Sequence, residues 1–188
     1  VMNVAQCRFR PAELTCRPGQ SEGCISAPLA DALDRSFAGP RNAAGYPAYV
    51  PVPWDTGVVD TNPGALPGYL PTGGPGPFGP ASTALAMDLD ARLQALAMDA
   101  TQRLTDTNVW TDLDTFLGRG GKVLFFHGVS DPWFSAWDSW DWWTRAAKTN
   151  GASFTDASRY YMVPGMGHCR GGNAYDTFDL LDPLVAWV

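Results

Sequence analysis

The sequence is poor in lysine and histidine and has no long apolar run, and each shortage narrows what the chain can be. Lys122 and Lys148 are the only lysines among thirteen basic residues, against nineteen acidic ones. A net charge of -6 and a pI near 4.7 argue against nucleic acid as a partner. No apolar stretch approaches the roughly 18 residues that cross a bilayer, so no membrane partner is expected. Neither a basic, apolar, small-residue leader nor an initiator methionine precedes "VMNVAQC". The opening therefore reads as the interior of a longer protein. No CxxC pair is present, and no block of like charge marks a tail.

What is present is the composition of a folded protein, 45% hydrophobic and 17% charged over 188 residues. That length suits one compact body with a loop-rich annex better than two full domains. Cys7, Cys16 and Cys24 fall together in a segment of Pro, Gly and Arg without apolar periodicity. Such spacing suits a disulfide-stapled loop in an oxidising compartment, secreted or periplasmic. Zinc is the competing reading, and the absence of a nearby histidine weighs against it. Cys169 stands far downstream, directly after His168 in "VPGMGHC".

The first half of the chain is irregular. "SAPLADALDRSFAGP" reads as a helix capped by Ser26, with Leu29, Leu33 and Phe37 at helical spacing and Gly39-Pro40 as its stop. From Arg41 to Pro80 proline and glycine recur too often for a long helix or an interior strand. This is expected to be a surface lid or binding annex. Its Tyr46, Tyr49, Trp54, Tyr69 and Phe78 could line a pocket or anchor the loop.

Regular patterns begin with "TALAMDLDARLQALAMDAT", a helix, and "TDLDTFLGRGG", a short helix with a glycine stop. "KVLFFHG" carries the continuous apolar run of a parallel strand covered on both faces. "SAWDSWDWWTRAAK" reads as a helix with Ser135 at its cap and Asp138 completing a capping pattern. "SRYYMVP" is a second strand and "DTFDLLDPLVAWV" a closing helix. Strand, helix, strand, helix is the α/β signature. The expected division is a loop-rich insertion over 1–84 and an α/β body over 85–188.

In open parallel sheets, functional groups gather beyond the carboxyl ends of the strands. Asp131, in "HGVSDPW", follows the first strand, and His168, in "GMGHC", follows the second. A carboxylate after one strand and a histidine after the next is the order in which α/β-hydrolases close a Ser, Asp, His triad. A turn-capping aspartate and a hydrogen-bonded loop histidine fit the same spacing. His127, ending its strand beside a glycine, is expected to orient a loop through its ring nitrogens. Asp138 and Asp141 read as capping and solvated, and Trp137, Trp140 and Trp143 as core. Trp133 and Phe134 directly follow the acid and are the candidate pocket walls.

A nucleophile is harder to find. The one GxSxG match, "GQSEG" around Ser21, follows "AELTCRPGQ", which contains Pro18 and no apolar strand to present the serine. Ser130 adjoins the acid and cannot be its triad partner. Catalysis through Ser21 stays an alternative.

A resemblance bears on this gap. "GGKVLFFHGVSDPWFSAWDSWDWW", "RYYMVPGMGHCRGG" and "DTFDLLDPLVAWV" resemble the carboxyl-terminal part of the tannase and feruloyl esterase family of α/β-hydrolases, and within it the terephthalate-monoester hydrolases. "CRFRPAELTC", "GCISAPLADAL", "AGPRNAAGYPAY" and "WDTG" resemble the lid inserted into that family's core after the nucleophile; the likeness is weakest from Val58 to about Ala84.

The resemblance implies a serine carboxylic ester hydrolase with an acyl-enzyme mechanism, acting on small aromatic acid esters such as feruloyl, galloyl or terephthalate monoesters. Asp131 would be the triad acid and His168 the base. Trp133, Phe134 and Trp54 would hold the aromatic group. Cys169 would pair with a cysteine immediately before the nucleophilic serine, Cys16 with Cys24, and Cys7 with a cysteine upstream. No Cys-Ser pair occurs in these 188 residues, so the partner implied is an upstream hydrolase segment carrying the serine. A structural calcium site would also lie just upstream, leaving no metal ligand or cofactor in this chain. The lid from Gly57 to Gly118 is shorter than in terephthalate-monoester hydrolases and offers no arginine matching their substrate-carboxylate contact, which keeps other aromatic esters open. A non-catalytic binding module on a degenerate hydrolase fold is the alternative from a different class.

Overall fold

The structure, a computed structural model, describes residues 4–55, 87–131, 134–168 and 170–188. Trp133, Cys169, Tyr69, Phe78 and the expected helix start at Thr83 lie outside the described residues.

The amino-terminal segment holds two 3₁₀ turns, Val4–Gln6 and Pro11–Leu14, and helix α1, Ala27–Phe37. As expected, Ser26 caps α1, its hydroxyl accepting from the Leu29 N–H at 3.3 Å. The helix delivers Phe37 to a small core, where it stacks on Trp54 at 3.9 Å while Phe9 meets the same indole edge-on at 5.4 Å. A Cys16–Cys24 disulfide closes the loop before α1, and Thr15 and Ile25 bridge beside it. Cys7 forms no disulfide with another described residue.

The α/β body begins with α2, Leu89–Met98, and α3, Ala100–Thr105. A single helix was the expectation here. Asp99 interrupts it by turning extended and accepting the Gln102 N–H at 2.9 Å, so it ends one helix and caps the next. Helix α4 is Asp114–Gly118. Strand β1, Val123–Gly128, and strand β2, Ser158–Val163, pair in parallel, with Val123 opposite Ser158 and Gly128 opposite Val163. Helix α5, Ala136–Asn150, forms the crossover; α6, Ala152–Ala157, leads into β2 and was not anticipated; α7, Leu181–Trp187, closes the chain. The α/β class is as expected.

Alternation along the strands decides which face α5 covers. Phe125 packs on Trp142, Tyr160 on Trp140, and the Trp143 indole N–H donates to the Ser158 hydroxyl at 3.0 Å. Phe154 and Ala146 are fully buried beneath this face. Among the described residues the opposite face is covered only in part, where the apolar run suggested full cover. Phe126 is 44% exposed and touches Phe178 edge-on, and Tyr161 is 49% exposed. Trp140, expected in the core, is 39% exposed: it meets Tyr160 of the sheet edge-on and stacks on Trp143, and the rest of its ring stays open to solvent. At the strands' starting ends, Lys122 and Arg159 both rest on the Trp187 ring, at 5.4 and 4.8 Å, and dock α7.

The disulfide spans a sequence separation of 8. Closing so short a loop removes about 2.5 kcal/mol of chain entropy from the unfolded state. Replacing both cysteines by serine is therefore expected to lower the denaturation free energy by about that amount, as measured by chemical unfolding; an unchanged midpoint would show that the loop is held by other contacts.

Candidate active site

Parallel pairing places the ends of β1 and β2 side by side, and the backbone continues the pairing past them. Val129 N–H donates to Val163 O at 3.0 Å and Ser130 N–H to Met166 O at 2.9 Å. The approach is close enough to require glycine at the last position of β1: a methyl group on Gly128 would collide with the carbonyl oxygens of Met166 and Gly167. Two loops from different strands thus run in contact, one carrying Asp131 and the other His168.

Asp131 is 4% exposed. Its Oδ2 lies 2.8 Å from His168 Nδ1, and its Oδ1 accepts the Phe134 N–H at 3.0 Å. A carboxylate can only accept, so His168 carries its proton on Nδ1 and keeps the lone pair on Nε2. That is the tautomer a general base requires. The imidazole is one-third exposed, while its acid is not.

His127 approaches the same carboxylate oxygen at 3.4 Å through Nε2, which also donates to the Phe134 carbonyl at 3.0 Å. Its Nδ1 accepts from the Ser139 hydroxyl at 2.8 Å. The two imidazoles therefore have opposite tautomers around one acid, and His127 ties β1, α5 and the Phe134 turn together.

These groups line a cavity of about 300 Å³ with Phe126, Asp138 and Met166. Phe134 forms one wall, half exposed, with its ring 5.5 Å from that of His168. Trp54 does not reach this cavity. Its ring is held between Phe9 and Phe37 and lines a separate cavity of about 330 Å³ beside Arg10 and Asp34. Ser21 sits exposed within the disulfide-closed loop, with no strand leading into it, and is not among the residues lining the site.

Two features escaped the sequence. Asp138 is not a solvated helix residue: its Oδ2 accepts from the Tyr49 hydroxyl at 3.4 Å, and the same hydroxyl accepts the Ser135 N–H at 3.1 Å. Ser135 caps α5 as expected, accepting from Trp137 N–H, but its hydroxyl donates to the Pro51 carbonyl at 2.6 Å. Burial raises the Asp138 carboxyl above the ordinary range despite the Tyr49 bond, and burial pushes Tyr49 up to about 12, so the phenol stays protonated. The second is Asp55, whose carboxylate accepts from both the Ser130 hydroxyl and the Gly165 N–H. Partners 75 and 110 residues away leave no local pattern to read. Among the described residues, no group of three His, Cys, Asp or Glu side chains could share a metal ion.

Residues 81–188 match the family described as tannase and feruloyl esterase. The chain belongs to that family. It is 33% identical over 214 residues to mono(2-hydroxyethyl) terephthalate hydrolase of Piscinibacter sakaiensis, an alignment covering 93% of this chain and 35% of that protein. It is 32% identical over 114 residues to a probable feruloyl esterase B-2 of Aspergillus terreus, covering 51% and 22% respectively. The crystal structure of feruloyl esterase B from Aspergillus oryzae superposes with a TM-score of 0.68 at 20% identity, over 97% of this chain and 40% of that one. The fold is thus shared with esterases, and the matches cover between 22% and 40% of the length of these proteins, so the chain spans well under half of each.

The raised Asp138 carboxyl gives a stability signature. The folded state holds its proton more tightly than the unfolded chain does, so between the ordinary carboxylate range and the raised value stability falls as pH climbs. Asp138→Asn removes that titration and keeps an oxygen for Tyr49. It is expected to flatten the decline and to melt, at neutral pH, no lower than the parent. Thermal unfolding curves that stay parallel across the acidic range would contradict this.

Proposed function

We propose that this chain is part of a secreted or periplasmic carboxylic ester hydrolase of aromatic acid esters, and that it supplies the acid and base of a serine triad. The observation that carries this reading is the 2.8 Å bond from His168 Nδ1 to the buried Asp131, at the adjoining ends of two parallel strands. Family membership supports the reaction class, since the relatives' names are those of a terephthalate-monoester hydrolase and a feruloyl esterase. The Cys16–Cys24 disulfide supports an oxidising compartment, and among the described residues no helix is long and apolar enough to cross a membrane.

In the proposed reaction, His168 Nε2 takes the proton of a serine hydroxyl as the oxygen attacks the ester carbonyl. Asp131 remains ionised and stabilises the imidazolium that forms. The imidazolium then protonates the leaving alcohol, giving an acyl-enzyme, and a water activated by the same imidazole releases the aromatic acid. The serine belongs to an upstream segment, with Cys169 bonded to a cysteine beside it. Residues 1–84 act as a lid over the α/β body of 85–188. Phe134 forms the aromatic wall of the acyl pocket, with Trp133 beside it in sequence. Trp54, held away from the cavity by Phe37, anchors the lid rather than contacting substrate. The substrate class is a small monoester of a feruloyl, galloyl or terephthaloyl acid, for which a cavity of about 300 Å³ leaves room.

In the longer protein, Asp131→Asn is expected to lower kcat on an aryl ester by roughly 10⁴-fold with little change in KM, since the imidazole loses its fixed tautomer. A variant that turns over close to the parent rate would overturn the assignment. An unaltered longer protein that binds aromatic acids without turnover would instead favour a binding module.

A further inference from the structure

Asp55 ends the described amino-terminal segment, far in sequence from both catalytic loops, yet it touches each of them. One carboxylate oxygen accepts from the hydroxyl of Ser130, the residue directly before Asp131. The other accepts the backbone N–H of Gly165, three residues before His168, at 3.2 Å. The carboxylate is only partly exposed. Bonds to a carboxylate are among the stronger neutral-donor hydrogen bonds, and here a single rigid group receives one from either side.

The consequence is geometric. Asp131 and His168 come from different strands, so their spacing depends on how the two loops are held past the strand ends. Backbone bonds from Val129 to Val163 and from Ser130 to Met166 hold the loops at their bases. Asp55 adds a bridge from a third part of the chain, bonded beside the acid on one loop and to the turn before the base on the other. Gly165 has φ +75°, and an added methyl there would collide with the Asn173 carbonyl, so the turn that offers its N–H to Asp55 is itself tightly specified. Misplacing a reacting group by an ångström can cost a hundredfold or so in rate, so a residue that sets this spacing matters to the reaction without touching substrate.

We propose that Asp55 is a positioning residue for the acid–base pair, its carboxylate clipping the Asp131 loop to the His168 loop and tying both to the amino-terminal segment. This rests on the reading of Asp131 and His168 given under Proposed function. It also makes the amino-terminal segment a part of the catalytic geometry, so that displacing the segment loosens the pair.

The test needs no turnover. A short Nδ1–H to carboxylate bond gives the histidine a strongly downfield N–H resonance in proton NMR, and its rate of exchange with water reports how firmly the pair is held. In the full chain this resonance is expected for His168, lost or exchanging several-fold faster in Asp55→Ala, and retained in Asp55→Asn, whose amide can accept from Gly165 N–H and donate to Ser130. A folded Asp55→Ala with unchanged resonance and exchange would overturn the clip while leaving the acid–base pair intact. Absence of the resonance from the unaltered chain would overturn the pair, and the clip with it. If Asp55→Ala does not fold, Ser130→Ala decides, since it removes one of the two bonds: faster exchange supports the clip and unchanged exchange overturns it.

Discussion

The parallel register of β1 with β2 is the constraint on which the site depends. With Gly128 opposite Val163, both strands end at the same level, and the two following loops have nowhere to run except against each other. Gly128 permits the contact because any side chain there would meet the Met166 and Gly167 carbonyls. Asp131 and His168 are brought together by this arrangement, 37 residues apart in sequence and 2.8 Å apart in space. The covering helix α5 contributes at the same time to packing and to the site, through Trp142 and Trp143 on one stretch and Ser139 and Asp138 on another.

Around that pair lie three sets of polar contacts, each centred on one side chain. His127 reaches Asp131, the Phe134 carbonyl and Ser139; Tyr49 reaches Asp138 and Ser135; Asp55 reaches Ser130 and Gly165. Two of these three side chains belong to the irregular amino-terminal segment. The segment is therefore hydrogen-bonded into the rim of the site.

What the sequence made legible was what local pattern controls. Ser26 and Ser135 were readable as caps, the run Val123–Phe126 as a strand, and Cys16 and Cys24 as a pair through the family resemblance. The loop positions of Asp131 and His168 followed from strand order alone. What escaped depends on distant partners or on competition between local choices. Asp99 could continue a helix or cap one, and its side chain's bond to Gln102 decided the matter. Asp138 sat where a capping residue would, and Tyr49, 89 residues away, claimed it instead. Phe126 looked like core because its neighbours are apolar, yet among the described residues that face is covered only in part, by the Phe178 ring. Trp54 was expected beside the acid and base, and its ring instead lies between Phe9 and Phe37 at a separate cavity, where α1 sets the position of Phe37.

We propose that this chain holds an acid and a base, Asp131 and His168, whose serine lies in another segment. The most direct measurement is mass spectrometry after treatment with an aryl fluorophosphonate, which forms a covalent adduct only with a serine activated by a neighbouring base. The 188-residue chain is expected to stay unlabelled, and the longer protein to carry one adduct, on a serine preceded by a cysteine. An adduct on Ser21 of the chain alone would contradict it.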